Sequence, residues 1–118
     1  MPSLRNTLLC AAVAAGALVA AAHAQTPAYV GKWASQPAQC RVGQEKENAP
    51  MVMRRDGYDQ HEAHCKFTSV RQKVRVWAVK AHCTVEGDDV DLDLTLEVAD
   101  NHLTIRDKNG ASTYRRCP

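Results

Sequence analysis

Histidine and glutamate crowd one short stretch, His61-Glu62-Ala63-His64, which invites comparison with zinc-peptidase chemistry. The peptidase helix needs H-E-x-x-H, with both imidazoles on one face. Here the histidines are three apart in β-rich sequence, and on a strand such residues point to opposite faces. A cross-strand pair with Glu62 facing His82 is the plainer reading. A surface zinc or copper site built from Glu62, His64 and His82 is its alternative. Met51 and Met53 would suit copper(I), but methionine in a small domain is ordinary core. No metal, cofactor or catalytic residue is expected.

Asp88, Asp89, Asp91 and Asp93 resemble a calcium loop in composition. An EF-hand begun at Asp89 needs glycine at its sixth position and glutamate at its twelfth; the chain has Leu94 and Asp100 there. The run therefore reads as the solvated face of a strand, with Asp93 falling opposite His82 and Lys108. Ser35, Ser69 and Ser112 have no glycine frame of the nucleophile-elbow kind. Neither a catalytic carboxylate pair nor a phosphate loop is present in the pattern. The chemistry-bearing residues thus point away from an enzyme.

Cysteine is more informative. The chain has 118 residues and five cysteines. Arg5 makes a short basic start, residues 8–22 are uninterruptedly apolar, and Ala22-His23-Ala24 is a small-x-small cleavage site. This is the pattern of a secretory signal peptide, residues 1–24, leaving a mature domain of residues 25–118. The apolar run is too short for a comfortable membrane span. Cys10 lies inside that run behind Leu9, where a lipid anchor would need a small residue. Cys40, Cys65, Cys83 and Cys117 then remain, an even set that reads as two disulfides in a periplasmic or secreted protein. Their spacings are far wider than those of a structural zinc site. Removing Arg5 leaves 14 of the 15 Lys and Arg against 13 Asp and Glu. So balanced a charge does not suggest nucleic acid.

The elements that must carry these residues are strands. Residues 61–70 and 74–85 read as a central hairpin around a three-residue loop, Arg71-Gln72-Lys73. That register sets Phe67 opposite Trp77 and Cys65 opposite Val79. Val90 to Val98 alternates apolar and polar residues without a break, the signature of a half-buried strand. Pairing Val85 with Val90 sets Cys83 opposite Leu92 and Trp77 opposite Val98; pairing Val98 with Leu103 sets Leu96 opposite Ile105. The inner face then comprises Phe67, Trp77, Val79, Ala81 and Val85, continued by Val90, Leu92, Leu94, Leu96, Val98, Leu103 and Ile105. Asn109-Gly110 marks a further hairpin. Residues 36–50 form a long loop holding Cys40. The expected fold is all-β: a small antiparallel meander of six to seven strands, curled into a barrel or sandwich.

Two expectations follow from these levels. Cys65 and Cys117 fall at similar heights, as do Cys40 and Cys83, so the favoured pairing is Cys65–Cys117 with Cys40–Cys83. Barrel shear would instead permit Cys40–Cys65 with Cys83–Cys117. The outer face of the central hairpin carries Val70, Val74, Val76 and Ala78. An apolar patch of this kind is either a binding surface or is covered by another segment, here Met51-Val52-Met53 or the region of Trp33.

Gly31-Lys32-Trp33 resembles the G-x-W that opens the lipocalin barrel, over three residues, and implies a barrel. Tyr58, His61-Glu62-x-His64-Cys65, Trp77, Cys83 and Tyr114-x-Arg116-Cys117 resemble small exported four-cysteine proteins of α-proteobacteria, over most of the mature chain. That resemblance implies an exported β-domain and no particular activity. The expected function is protein binding, as an envelope accessory or inhibitor-type module whose partner is another envelope protein. The alternatives are a lipocalin-like binder of a small apolar ligand and a surface metal-binding protein using histidines.

Overall fold

A computed structural model describes residues 25–118 together with Ala11, Ala12, Ala14 and Gly16. The expected cleavage site and most of the signal segment lie outside the described residues. In chain order the elements are β1 (Gly31–Ala34), a 3-10 helix (Pro37–Arg41), β2 (Met51–Arg54) and β3 (Gly57–Gln60). Then come β4 (Ala63–Lys73), β5 (Val76–Val85), β6 (Asp88–Ala99), β7 (His102–Asp107) and β8 (Gly110–Arg116). Each strand pairs antiparallel with the next, and β8 returns to β1, closing an eight-stranded barrel. The all-β meander is thus a closed barrel. The arm expected from His61 begins instead at Ala63, after a turn at His61-Glu62, and the residues leading into it form a strand of their own, β3, which contains Tyr58.

Period-2 alternation fills the interior. Leu94 and Leu96 of β6, Trp77, Val79, Ala81 and Cys83 of β5, and Leu103 of β7 are buried, with Leu92, Val98 and Ile105 packed against them. The inner face is as expected except at its edge: Val85 and Val90 are 36% and 38% exposed. Val85 ends β5 at the turn, and Val90, opposite Cys83, lies in the part of β6 that has no β7 partner beside it. Trp33, Met51 and Met53 from β1 and β2 also point into the core. Met51 and Met53 therefore do not cover the outer hairpin face.

Closure depends on a short seam. The β1–β8 ladder consists of Trp33↔Arg116 and Ala34↔Arg115, extended by the Cys117 N–H donating to the Lys32 carbonyl at 2.8 Å. Arg116 reinforces it. Its guanidinium lies 4.2 Å over the Trp33 ring and donates to the carbonyls of Val30 at 3.0 Å and Ala28 at 2.7 Å. This pins residues 28–30 across one barrel end and drives Tyr29 inside, edge-on to Trp77 and Phe67. The Trp33 indole N–H donates to the Tyr29 carbonyl at 2.8 Å, and the Tyr29 hydroxyl donates to the Arg55 carbonyl at 2.7 Å. Gly31 is required here: its φ is +147°, and a Cβ would stand 2.6 Å from the Arg116 Nη1.

The register of the central hairpin differs from expectation, and the disulfides follow it. The β4–β5 turn is Val74-Arg75, with Lys73 opposite Val76. A β-bulge inserts Thr68 between the pairs Phe67↔Ala81 and Ser69↔Lys80. Phe67 therefore faces Ala81 rather than Trp77, and Cys65 faces Cys83 rather than Val79. The β5–β6 pairing is shifted by two residues, which preserves the faces: Cys83 meets Val90 and Trp77 meets Leu96. The β6–β7 register is as expected, with Val98↔Leu103 and Leu96↔Ile105.

The favoured disulfide pairing and its alternative are both overturned: the bonds are Cys65–Cys83 and Cys40–Cys117. Cys65 and Cys83 are directly opposite on the inner face, with Cα atoms 4.0 Å apart. Cys40 follows β1 closely, and closure puts β1 beside β8, so Cys40 reaches Cys117 at a Cα separation of 5.6 Å. Levels drawn on an open sheet missed that adjacency. The seam bond encloses 77 residues and the ladder bond 18. On the chain-entropy account these loops are worth about 4.5 and about 3 kcal/mol. We expect non-reducing peptide mapping to recover these two pairs, and Cys40→Ala/Cys117→Ala to lower the unfolding free energy by about 4 kcal/mol in denaturant titration.

Candidate functional site

The residues that depart most from what packing requires lie at the β4–β5 tip. β3 ladders only with β4 residues 63–66. Beyond the bulge, residues 69–73 of β4 pair with β5 alone, so the end of the hairpin overhangs the barrel. The bulge also exchanges the two faces. Val70 and Gln72 pair with the inward residues Val79 and Trp77, whereas Ser69 and Arg71 pair with outward Lys80 and Ala78. The four apolar residues expected on one outer face are therefore divided. Val76 and Ala78 remain outward, Val70 moves to the inner side of the overhang at 40% exposure, and Val74 occupies the turn itself at 82% exposure.

Val74 is the anomaly. Other hairpin turns of this barrel place suitable residues in the left-handed region: Asp100-Asn101 and Glu86-Gly87 both have positive φ. Val74 has φ 59°. A β-branched side chain there clashes with its own backbone, at a cost on the order of 1–3 kcal/mol. A glycine or asparagine would relieve it. The turn is otherwise supported by the Gln72 amide, which donates to the Val74 carbonyl at 3.0 Å. Lys73 and Arg75 flank the valine in the chain and Arg71 follows two residues down the strand, all exposed and without an ion pair among the described residues. Beside the tip, residues 25–28, Trp77 and residues 98–100 enclose a groove of about 410 Å³ with Gln72, Val74 and Arg75. The tip is an apolar point set in positive charge.

The histidines lie elsewhere. His82 faces Lys66 across the ladder, not Glu62, because of the corrected register. Its Nδ1 is 2.7 Å from an Asp91 oxygen and its Nε2 is 3.4 Å from Asp89. His64 meets Asp59 at 2.8 Å, and Asp59 also binds Arg54. Asp93 faces Lys80 at 3.7 Å rather than His82 or Lys108. The aspartate run is thus a solvated strand face meeting cations across the ladder. Among the described residues no group of three or more His, Cys, Asp or Glu side chains is placed to hold a metal ion. Cys40, Cys65, Cys83 and Cys117 are all in disulfides. Among the described residues no helix is long and apolar enough to cross a membrane.

Two of these contacts are pH-sensitive. Burial pushes the Asp59 carboxyl up, but hydrogen bonds from His64 and Arg54 and their charge outweigh it, so it ionises below its ordinary range. Its contribution to stability is present above the unfolded carboxyl value and is lost as pH falls through the lowered one. The hydrogen bond to Asp91, opposed by a weaker desolvation effect and aided by the Asp91 and Asp89 charges, raises the His82 imidazole. Its contribution is full below the unfolded value and is lost as pH rises through the raised one.

Family models, curated proteins and solved structures show no match to the chain. The functional reading therefore rests on geometry. For the histidine, an NMR titration should give a His82 midpoint above the ordinary 6.5, and Asp91→Asn should bring it down; an unchanged midpoint in that variant would remove Asp91 as the cause.

Proposed function

We propose that this chain is an exported protein-binding module, an envelope accessory or inhibitor-type domain that acts by binding rather than catalysis. The β4–β5 tip is its contact, and the partner is an envelope protein with an acidic cleft. One observation carries this reading: an exposed valine is held in a strained turn conformation, with three exposed cations, Arg71, Lys73 and Arg75, within three residues of it along the chain. Folding alone favours glycine at that point. A partner that buries Val74 gains its apolar area, and three cations supply charge complementarity and speed of encounter. The overhang makes the point accessible without disturbing the barrel. The disulfides suit the oxidising compartment in which such a partner resides.

The interior gives the lipocalin-like alternative less support at the plugged end. Trp33, Tyr29, Met53, Leu96 and Leu103 are fully buried there and occupy the space a deep ligand would need.

Stability and binding should separate at Val74. Val74→Gly should stabilise the oxidised domain by about 1 kcal/mol, raising Tm by roughly 4–8 °C, and should weaken capture of the envelope partner. Reversal of Arg71, Lys73 and Arg75 to glutamate should abolish capture with little change in Tm, and capture by the native domain should fall with added salt. Equal retention of the same envelope protein by the native domain and both variants would exclude the tip as the contact.

A further inference from the structure

The barrel end opposite the tip is open. β7 ladders with β6 only from Thr95 to Ala99, so the lower half of β6 parts from the β7–β8 turn. Between them and β3 lies a cavity of about 380 Å³, within the range of small-molecule sites. Its floor is apolar, made by Met51, Leu92, Leu94 and Ile105. Its walls carry two phenols, Tyr58 and Tyr114, and its rim carries Asp107.

The register explains this rim. Leu103 and Ile105 face inward, and alternation puts Asp107, two residues on, on the same side of β7. Its ladder partner is Gly110, where a Cβ would meet nothing within 4 Å, so no side chain fills the space opposite. Asp107 accepts the Asn109 N–H at 2.7 Å and makes no ion pair among the described residues. No lysine or arginine lines the cavity. The phenols of Tyr58 and Tyr114 make no hydrogen bond to another described residue. Burial first, then Tyr114 and the Asp107 charge, push the Tyr58 phenol above its ordinary range, so it stays a neutral donor with an electron-rich face.

From this arrangement we infer that the mouth binds a small organic ammonium compound with an apolar body. The apolar body lies on Leu92, Leu94 and Ile105, and the ammonium group meets the Asp107 carboxylate beside the tyrosine rings. A carboxylate together with aromatic faces favours a cation over a neutral or anionic ligand of the same shape. The site is independent of the tip.

Calorimetry on the oxidised domain tests it with three probes of one shape: 4-phenylbutylamine, 4-phenylbutanol and 4-phenylbutyrate. The amine should bind about tenfold more tightly than the alcohol, and the carboxylate should not bind. Asp107→Asn keeps the acceptor for the Asn109 N–H and removes the charge. It should bring the amine down to the affinity of the alcohol and leave the alcohol unchanged. NMR shifts should fall on Tyr58 and Tyr114, and Val74→Gly should leave all three results as they are. An amine that gives no binding, binds no better than the alcohol, or keeps its advantage in Asp107→Asn overturns the inference.

Discussion

One side chain, Arg116, braces the seam between the first and last strands of the barrel. Arg116 comes at the end of the last strand, and its guanidinium covers Trp33 of the first strand while holding the carbonyls of Ala28 and Val30. The β1–β8 ladder it crosses is only two pairs long, against ten for β5–β6. A barrel closed by so few backbone bonds needs other ties. The planar fork supplies three at once: a stack worth about 0.5–2 kcal/mol and two charge-assisted hydrogen bonds. The Cys40–Cys117 bond then makes the seam covalent. Gly31 is what allows the guanidinium to come so close.

The consequences run the length of the barrel. With residues 28–30 pinned, Tyr29 becomes an inner plug against Phe67 and Trp77, and one end is filled. The same plug supports the inner side of the overhanging hairpin, next to which residues 25–28 form a groove. The opposite end has no such plug. Short β3 and the parting of β6 from the β7–β8 turn leave an open mouth there. One end thus presents a basic, apolar point, and the other a cavity rimmed by a carboxylate.

Much of the fold was legible because period 2 is a strong signal. The strand at Val90 to Val98, the inner leucines and the β6–β7 register were all readable from alternation and turn residues. Register across β4–β5 was not, since Thr68 forms a bulge that no residue type announces, and the turn is built on Val74, which turn chemistry disfavours. That misplaced register separated Cys65 from Cys83 and set His82 opposite Glu62 instead of Lys66. Cys40 and Cys117 were missed for a different reason: closure makes the first and last strands neighbours, and no local pattern reports it. The tip valine was legible as part of an outward apolar patch, either a binding surface or covered by another segment, but its strain was not. Asp107 follows Leu103 and Ile105 on the inward side by alternation, but its empty partner position was hidden, because the turn falls at Lys108-Asn109 and puts Gly110 opposite it.

Native-state hydrogen exchange on Arg116→Lys tests the seam most directly. Lysine keeps the charge and loses the stacked fork. The account predicts that amides at the seam and plug, notably Cys117 and Val30, exchange about tenfold or more faster. Those of the β5–β6 ladder should keep nearly their native protection, because the disulfide retains the strand ends while the guanidinium contacts are gone. Unchanged protection at Cys117 and Val30, or an equal loss in every strand, would contradict the claim that Arg116 is what closes this barrel and seats its plug.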